Sequence, residues 1–312
     1  MNELQTIQNN SVVAQQTVNT ELFERFIAYL DASPKTVETY TRALRQLFNY
    51  FSFNGIRQPR RDDILAFREE LKTSGHKPTT IQNYITATKL FFSWTAQEGF
   101  YPNIADHLKG AKLNRDHKKD YLTSRQVKEV LGAVEQDTLQ GLRDYAILAL
   151  MVTCGLRTIE VIRADIGDIR NAGENTVIYV QGKGRTEKTE YIKISAQVEK
   201  AIRVYLGARG ESDETSPLFV SCSNNNKGAR LTTRAVSGIV KERLKNAGFD
   251  SSRLTAHSLR HTAVTLSLLA GKEITEVQQF ARHANIATTM IYNHALDMAK
   301  NGCSEAIAQA IF

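Results

Sequence analysis

Residues 281–294 read ARHANIATTMIYNH and place Tyr292 nine positions after His283. Three upstream segments are rich in cations and hydrogen-bond donors: GLRTIE at 155–160, QGKGRTEK at 181–188 and HSLRH at 257–261. Such groups bind phosphate, and a tyrosine hydroxyl can act as a nucleophile. The ordered set comprises Arg157, Lys183, His257, Arg260, His283 and Tyr292. It predicts a site that cuts and rejoins a nucleic-acid backbone without a metal.

Each member taken singly has a plainer structural interpretation. Arg157 lies at the end of an apolar helix, where Glu160 is placed to form a supporting ion pair with it. Lys183 stands between two glycines, a setting that is also typical of an exposed turn. Tyr292 alone is equally typical of a core or an interface. The catalytic interpretation therefore depends on the order and spacing of the whole set.

Two other kinds of site are disfavoured. His257 and His261 have the i, i+4 spacing of a metal pair, but the HExxH glutamate is absent and no third ligand is evident. The GKG at 182–184 lacks the GxxxxGK[ST] pattern and is flanked by strand-like segments, which excludes a nucleotide-binding P-loop. We expect neither a metal nor another cofactor.

Length and composition favour roughly two domains in a reduced compartment. The 312 residues are 42% hydrophobic, and the net charge of +7 favours a polyanionic partner without proving one. Cys154, Cys222 and Cys303 are far apart and form no CxxC pair, which favours a bacterial-type cytoplasm. The N-terminus lacks a signal-peptide pattern, and no stretch approaches the ~20 apolar residues of a membrane span.

Hydrophobic periodicity predicts a mainly α-helical chain with a small β-sheet. Four short helices fall between positions 20 and 107, an apolar helix covers YAILALMVTCGL, and the runs TVIYV and EYIKI predict a β-hairpin. We expect five segments: a flexible arm at 1–19, a helical domain at 20–107, a basic linker at 108–121, a mixed α/β domain at 122–302 and a C-terminal helix at 303–312.

The linker sequence LKGAKLNRDHKKD at 108–120 is typical either of a solvated loop or of a basic strap along a phosphate backbone. The helices at 79–89 and 232–245 are candidates for entry into a DNA groove. The candidate DNA contacts are Lys89, Lys109, Lys112, Arg115, Lys118, Lys119, Arg185, Arg234, Lys241 and Arg282.

GLRTIE, the GKG hairpin, HSLRH, the histidine of ARH and the tyrosine of MIYNH together resemble the tyrosine recombinase family of phage integrases and Xer-like proteins. The resemblance extends over nearly the whole chain and implies a helical core-binding domain plus a catalytic domain, arranged as a C-shaped clamp on DNA. One departure is Ala281-Arg282, where the family often has Leu-Gly, and we expect Arg282 to contact DNA or a neighbour. No arm-binding domain is evident.

The resemblance implies strand cleavage through a 3′-phosphotyrosyl intermediate on Tyr292, followed by a Holliday junction. It assigns Arg157, Arg260 and His283 to the phosphate, Lys183 to general acid catalysis and His257 to acid–base assistance. It also implies a tetrameric synapse on two DNA sites, a C-terminal helix exchanged between protomers, and an accessory DNA-bending or directionality protein as a further partner. A type IB topoisomerase and a non-catalytic DNA-binding regulator remain the alternatives.

Overall fold

The computed structural model describes residues 20–112, 120–182, 184–210, 213–299 and 302–312. The chain divides into an N-terminal unit, Met1–Arg115, and a C-terminal unit, Asp116–Phe312. The predicted arm at 1–19 and four candidate functional residues, Lys183, Arg115, Lys118 and Lys119, lie outside the described residues.

The N-terminal unit contains the four helices that the apolar spacing predicts. They are α1 (Thr20–Tyr29), α2 (Pro34–Phe53), α3 (Arg61–Thr73) and α4 (Pro78–Gln97). Helix α2 begins at Pro34 because the Ser33 side chain accepts a hydrogen bond from the Thr36 backbone N–H, and proline needs no such partner at the first helical position.

Aromatic side chains hold the N-terminal helices together. Phe26 of α1 is fully buried, and its ring lies 5.4 Å from Phe91 and 5.5 Å from Trp94, both on α4. Edge-to-face and tilted pairs of this kind add to the free energy gained by burying apolar area. Leu44 and Leu47 of α2 complete the same core. The apolar faces therefore point inward and leave polar helix faces towards solvent.

The C-terminal unit contains nine further α-helices among its described residues. They are α5 (Ser124–Gly132), α6 (Leu139–Cys154), α7 (Thr158–Arg163), α8 (Ala196–Arg209), α9 (Thr233–Asn246), α10 (Ala256–Leu269), α11 (Ile274–Ala281), α12 (Ile286–Ala299) and α13 (Cys303–Ile311). Helix α6 is the buried apolar helix expected from the sequence, and it packs against α8, α9 and α10. It ends at Gly155, whose φ of 59° is the left-handed conformation that glycine favours.

The sheet has three antiparallel strands in the order β1-β2-β3. They are β1 (Ile169–Ala172), β2 (Asn175–Val180) and β3 (Glu190–Lys193). The predicted hairpin is confirmed, with Ile178 opposite Ile192 and both side chains in the core. Strand β1, with the sequence IRNA, carries little apolar alternation and is recognised only from its pairing with β2.

The C-terminal region differs from the sequence interpretation at one point. The sequence of residues 283–294 predicts a helix that begins at His283, but His283 lies in the turn between α11 and α12. Two local features explain this correction. Arg282 adopts a left-handed conformation that ends α11, and the Asn285 side chain accepts a hydrogen bond from Ala287 N–H at the start of α12. The turn points His283 back towards α12.

Candidate active site

Arg157 is held at the N-terminus of α7 by Glu160. Arg157 Nη1 donates to Glu160 Oε1 at 2.7 Å, and the Arg157 backbone N–H donates to Oε2 at 2.8 Å. Glu160 is fully buried, whereas the Arg157 side chain is 27% exposed. Burial opposes ionisation of Glu160, but the Arg282 guanidinium and the Arg157 backbone N–H lower the pKa of Glu160 overall. The ion pair that offered a plain structural interpretation therefore also orients a partly accessible guanidinium.

Arg260 approaches the same place from α10. Its side chain is almost fully buried, Nη1 donates to the Gly155 carbonyl at 2.6 Å, and Nη2 donates to the Ala281 carbonyl. Burial, followed by repulsion from Arg157 and Arg282, lowers the pKa of Arg260 to about 9. Arg260 is still a cation at neutral pH. Glycine is suited to position 155 because a Cβ there would lie only 3.3 Å from the Phe280 ring and would crowd it.

Arg282 is not where the sequence interpretation put it. Its side chain is 5% exposed, and its guanidinium donates to Glu160 Oε2 at 2.8 Å and to the Phe280 carbonyl at 2.7 Å. A side chain committed to internal acceptors does not contact a DNA backbone at the surface. We therefore correct the expected DNA contact of Arg282 to an internal contact within the arginine cluster.

His283 lies beside this cluster and is neutral at physiological pH. Its Nδ1 is 2.9 Å from the hydroxyl of Thr289, which is fully buried on α12. Burial is the main cause that lowers the pKa of His283 to about 4, and the charges of Arg260 and Arg157 add to it. The sequence interpretation missed Thr289, which lies six residues after His283 and fixes one nitrogen of its imidazole.

Tyr292 occupies the middle of α12 and packs against both histidine motifs. It is 6% exposed, its ring stacks 6.2 Å from His283, and it lies 5.0 Å from His261. Burial raises the pKa of Tyr292 above its ordinary value, while Arg260 and Arg157 act in the opposite direction. The phenol is therefore protonated at neutral pH in this structure.

The two histidines of HSLRH form a line of rings that leads to Tyr292. His257 and His261 are in edge-to-face contact with centroids 4.5 Å apart, and His261 in turn contacts the Tyr292 ring. The sequence interpretation considered His261 only as a metal partner of His257. Within the described residues, no group of three or more His, Cys, Asp or Glu is placed to hold a metal ion.

Arg157 faces two adjoining cavities in the C-terminal unit. One, of about 570 Å³, is lined by residues that include Arg157, Gly182, Arg185, Gln278 and His283. The other, of about 300 Å³, is lined by residues that include Arg157, Ser237, Thr255 and His257. Arg157 therefore lines both cavities, together with His283 in the larger one and His257 in the smaller one.

The described part of the β2–β3 loop reaches this region, and Lys183 lies outside the described residues. Gly182 lines the larger cavity, and its carbonyl accepts a hydrogen bond from Arg163 Nη1 at 3.2 Å. Further along the loop, Lys188 Nζ lies 2.6 Å from Asp165 and 2.5 Å from Asp168. These contacts fix both sides of the loop segment that contains Lys183.

The other candidate DNA contacts fall into three groups. Lys109, Lys112 and Arg234 are exposed, and Lys89 is partly buried on α4. Arg185 forms an ion pair with Glu190 at 3.0 Å, and Lys241 forms one with Asp250 at 3.1 Å. Surface ion pairs of this kind contribute little to stability and are readily exchanged for a phosphate.

The buried Arg260 and the partly exposed Arg157 lie near a tyrosine and two histidines, a set of groups suited to binding a phosphodiester. The Phage integrase family model matches residues 120–298, and the model for the phage integrase N-terminal SAM-like domain matches residues 22–99. The chain therefore belongs to the phage integrase family, and it is a tyrosine recombinase. In the described residues, no helix is long and apolar enough to cross a membrane.

Relatives of similar length align with this chain over most of its sequence. The tyrosine recombinase XerC of Herpetosiphon aurantiacus is 31% identical over 287 residues, which cover 87% of this chain and 89% of XerC. The tyrosine recombinase XerA of Pyrococcus horikoshii is 31% identical over 281 residues, covering 89% and 90%. XerH recombinase in a post-cleavage complex with palindromic difH has the same fold, with a TM-score of 0.71, 22% identity and coverage of 90% and 84%.

Proposed function

We propose that this protein recombines DNA at specific sites by cleaving one strand at a time through a 3′-phosphotyrosyl intermediate on Tyr292. The observation that carries the proposal is that Arg157 and Arg260 both bind main-chain oxygens at the end of α11, directly before His283, whose ring stacks on Tyr292 of α12. Exchange of the cleaved strands would pass through a Holliday junction. The related XerH recombinase, whose fold this chain shares, is bound to a difH DNA substrate before and after cleavage.

The two arginines are suited to a phosphodiester at the moment of attack. Charge develops on the non-bridging oxygens, and fixed guanidinium groups stabilise it without having to reorganise. Arg157 is the accessible member, because its side chain remains partly exposed after pairing with Glu160. Arg260 is almost fully buried and supplies a second positive charge. His283, neutral at physiological pH, adds a hydrogen bond from the ring nitrogen that Thr289 leaves available.

Tyr292 attacks only after its proton is removed or its environment becomes more electropositive. The Tyr292 oxygen forms a bond to phosphorus, the bond from phosphorus to the 5′ oxygen breaks, and a proton is delivered to that 5′ oxygen. We assign the donation of this proton to Lys183 of the β2–β3 loop, and we assign to His257 the acid–base assistance that accepts the phenolic proton of Tyr292. Burial raises the pKa of the Tyr292 phenol and so opposes its ionisation in the free protein.

DNA contacts extend from this site to basic residues on both units. We assign groove contacts to α4 and α9, which carry Lys89 and Arg234, and backbone contacts to the basic linker with Lys109 and Lys112. The remaining linker cations, Arg115, Lys118 and Lys119, belong to the same proposal. Lys241 and Arg185 would exchange their carboxylate partners for phosphate when DNA binds.

Helix α13 is the candidate contact between protomers. Ile307, Ile311 and Phe312 are exposed large apolar side chains at the C-terminus of the chain. Apolar residues in such a short helix gain stability only when another surface covers them. We propose that α13 docks on a second copy within a tetrameric synapse on two DNA sites. We also propose that an accessory DNA-bending or directionality protein sets the direction of the reaction. The proposed location of the protein is the cytoplasm, at the nucleoid.

The experiment begins with selection of duplexes from a random-sequence library by the purified protein. The selected site is then prepared as a nicked duplex that loses a short fragment after cleavage and so traps the covalent complex. We expect a denaturation-resistant protein–DNA adduct and, with two intact sites, joined recombinant products. Binding without any adduct would refute enzymatic recombination in favour of a DNA-binding regulator. Relaxation of supercoils without exchange between sites would instead indicate a topoisomerase.

A further inference from the structure

Arg282 occupies a position where the backbone favours glycine. Its φ of 53° and ψ of 47° lie in the left-handed region at the end of α11. A non-glycine residue is strained there, because its Cβ approaches the backbone. In addition, Arg282 Nε is buried and has no hydrogen-bond partner among the described residues. Both features cost folding free energy, and the contacts of the Arg282 guanidinium with Glu160 and with two carbonyl oxygens offset that cost.

The contacts of Arg282 go to the groups that hold the two phosphate-binding arginines. Its Nη2 donates to Glu160 Oε2 at 2.8 Å, on the carboxylate whose other oxygen binds the Arg157 guanidinium. The same Nη2 donates to the Gly155 carbonyl at 3.1 Å, the oxygen that also accepts from Arg260. Arg282 therefore shares one acceptor with each of the two arginines.

The backbone of Arg282 adds a third contact to this arrangement. Its carbonyl oxygen accepts a hydrogen bond from Arg157 Nη2 at 3.2 Å. The preceding residue, Ala281, offers its carbonyl to Arg260. The end of α11 thus binds both phosphate-binding guanidinium groups through main-chain oxygens, and the Arg282 side chain fastens that chain end to Glu160 and Gly155.

We propose that Arg282 is a positioning residue that fixes Arg157 and Arg260 relative to each other before DNA binds. This inference rests on the proposed function, because it assigns the two arginines to the scissile phosphate. Displacement of a catalytic group by about 1 Å can slow a reaction ~100-fold. In this role the Arg282 side chain, which is 5% exposed, acts through these neighbours.

The guanidinium of Arg282 is required for this role, rather than its positive charge alone. It donates at once to a carboxylate and to two carbonyl oxygens, those of Gly155 and Phe280, which its two terminal nitrogens reach as a planar fork. A lysine ammonium is a compact charge on a flexible chain and cannot span three acceptors in fixed directions. Glycine would relieve the backbone strain but would leave the carboxylate of Glu160 to Arg157 alone.

The test compares Arg282→Gly, Arg282→Lys and the parent in single-turnover cleavage of the selected nicked duplex, with DNA affinity measured separately. We expect Arg282→Gly to form the Tyr292 adduct roughly 10- to 100-fold more slowly at saturating protein. Its affinity should stay within about threefold. Its melting temperature should fall because the buried ion pair with Glu160 is lost, although relief of the left-handed strain offsets part of that loss. Arg282→Lys should be intermediate in rate. Arg203→Gln is the charge-matched control, since Arg203 is 71% exposed on α8, and its rate should equal that of the parent.

The outcomes separate this inference from the proposed function. An adduct with the parent and an equal rate with Arg282→Gly would overturn the positioning role while leaving the recombinase assignment intact. A lower melting temperature with an unchanged rate in Arg282→Gly would also overturn it, because the role would then be structural only. Absence of an adduct with the parent would overturn the proposed function and this inference together.

Discussion

Replacement of Glu160 by Gln tests how the arginine cluster is stabilised. Glu160 is fully buried and accepts hydrogen bonds from Arg157 Nη1, the Arg157 backbone and Arg282 Nη2. Gln keeps one acceptor oxygen but places an NH₂ group against an arginine donor. The substitution also removes the negative charge that pairs with Arg157 and Arg282. Removing one partner of a buried ion pair costs about 3–5 kcal/mol. For a unit of this size, that lowers the melting temperature by roughly 6–20 °C.

Urea unfolding at pH 7, followed by circular dichroism, measures this loss of stability. Glu129→Gln is the matched control, because Glu129 forms an exposed pair with Arg125 and its replacement should cost less than about 0.5 kcal/mol. The folded-state pKa of Glu160 is lowered. The stability that its charge contributes is therefore present above the ordinary pKa of 4.5 and is lost as pH falls below it. A Glu160→Gln variant as stable as Glu129→Gln at pH 7 would refute the reasoning.

Three further predictions concern activity, pH and assembly. Arg157→Lys should slow adduct formation by about 100-fold or more in a single-turnover assay, because an ammonium cannot reproduce the guanidinium fork; near-parent cleavage would remove Arg157 from the site. The pKa of His283 is about 4 in the folded protein and 6.5 ordinarily, so the unfolded chain binds the proton first as pH falls. The parent should therefore lose about 1–2 kcal/mol of stability between pH 6.5 and pH 4, a figure that allows for the partial exposure of His283. In urea titrations over this range, His283→Gln should lose less stability than the parent. Deletion of residues 303–312 should reduce synapsis on two sites more than binding to one site in a gel-shift assay, and an equal loss of both would contradict docking of α13 on a second copy.

Local signals in the sequence account for much of the fold. Ser33 and Pro34 mark the start of α2, and the strand runs TVIYV and EYIKI predict the hairpin in which Ile178 is found opposite Ile192. These features depend on neighbouring residues, so their physical causes can be read from short segments. Strand β1 shows the opposite case, because its polar sequence becomes a strand only through its partner.

The motifs in the sequence name the residues of the candidate site, but they do not show how deeply each side chain is buried. The motif order identifies Arg157, Arg260 and Tyr292, and nothing local shows that Tyr292 is buried against His261. Arg282 shows the same limit most clearly, since its position beside His283 favoured a DNA contact in the sequence interpretation. Its burial depends on Gly155 and Glu160, more than 120 positions earlier in the chain, and on a left-handed turn. Such tertiary contacts leave no periodic signal in the sequence.

The most direct measurement of the central claim is tandem mass spectrometry of the trapped protein–DNA complex after nuclease and trypsin digestion. Cleavage after Arg282 and Lys300 would release the peptide 283–300, which contains Tyr292 as its only tyrosine. We predict a nucleotide joined through its 3′ phosphate to Tyr292, and no adduct with Tyr292→Phe, whose DNA affinity should match that of the parent. An adduct on another residue, or one that survives Tyr292→Phe, would contradict the assignment of Tyr292 as the nucleophile.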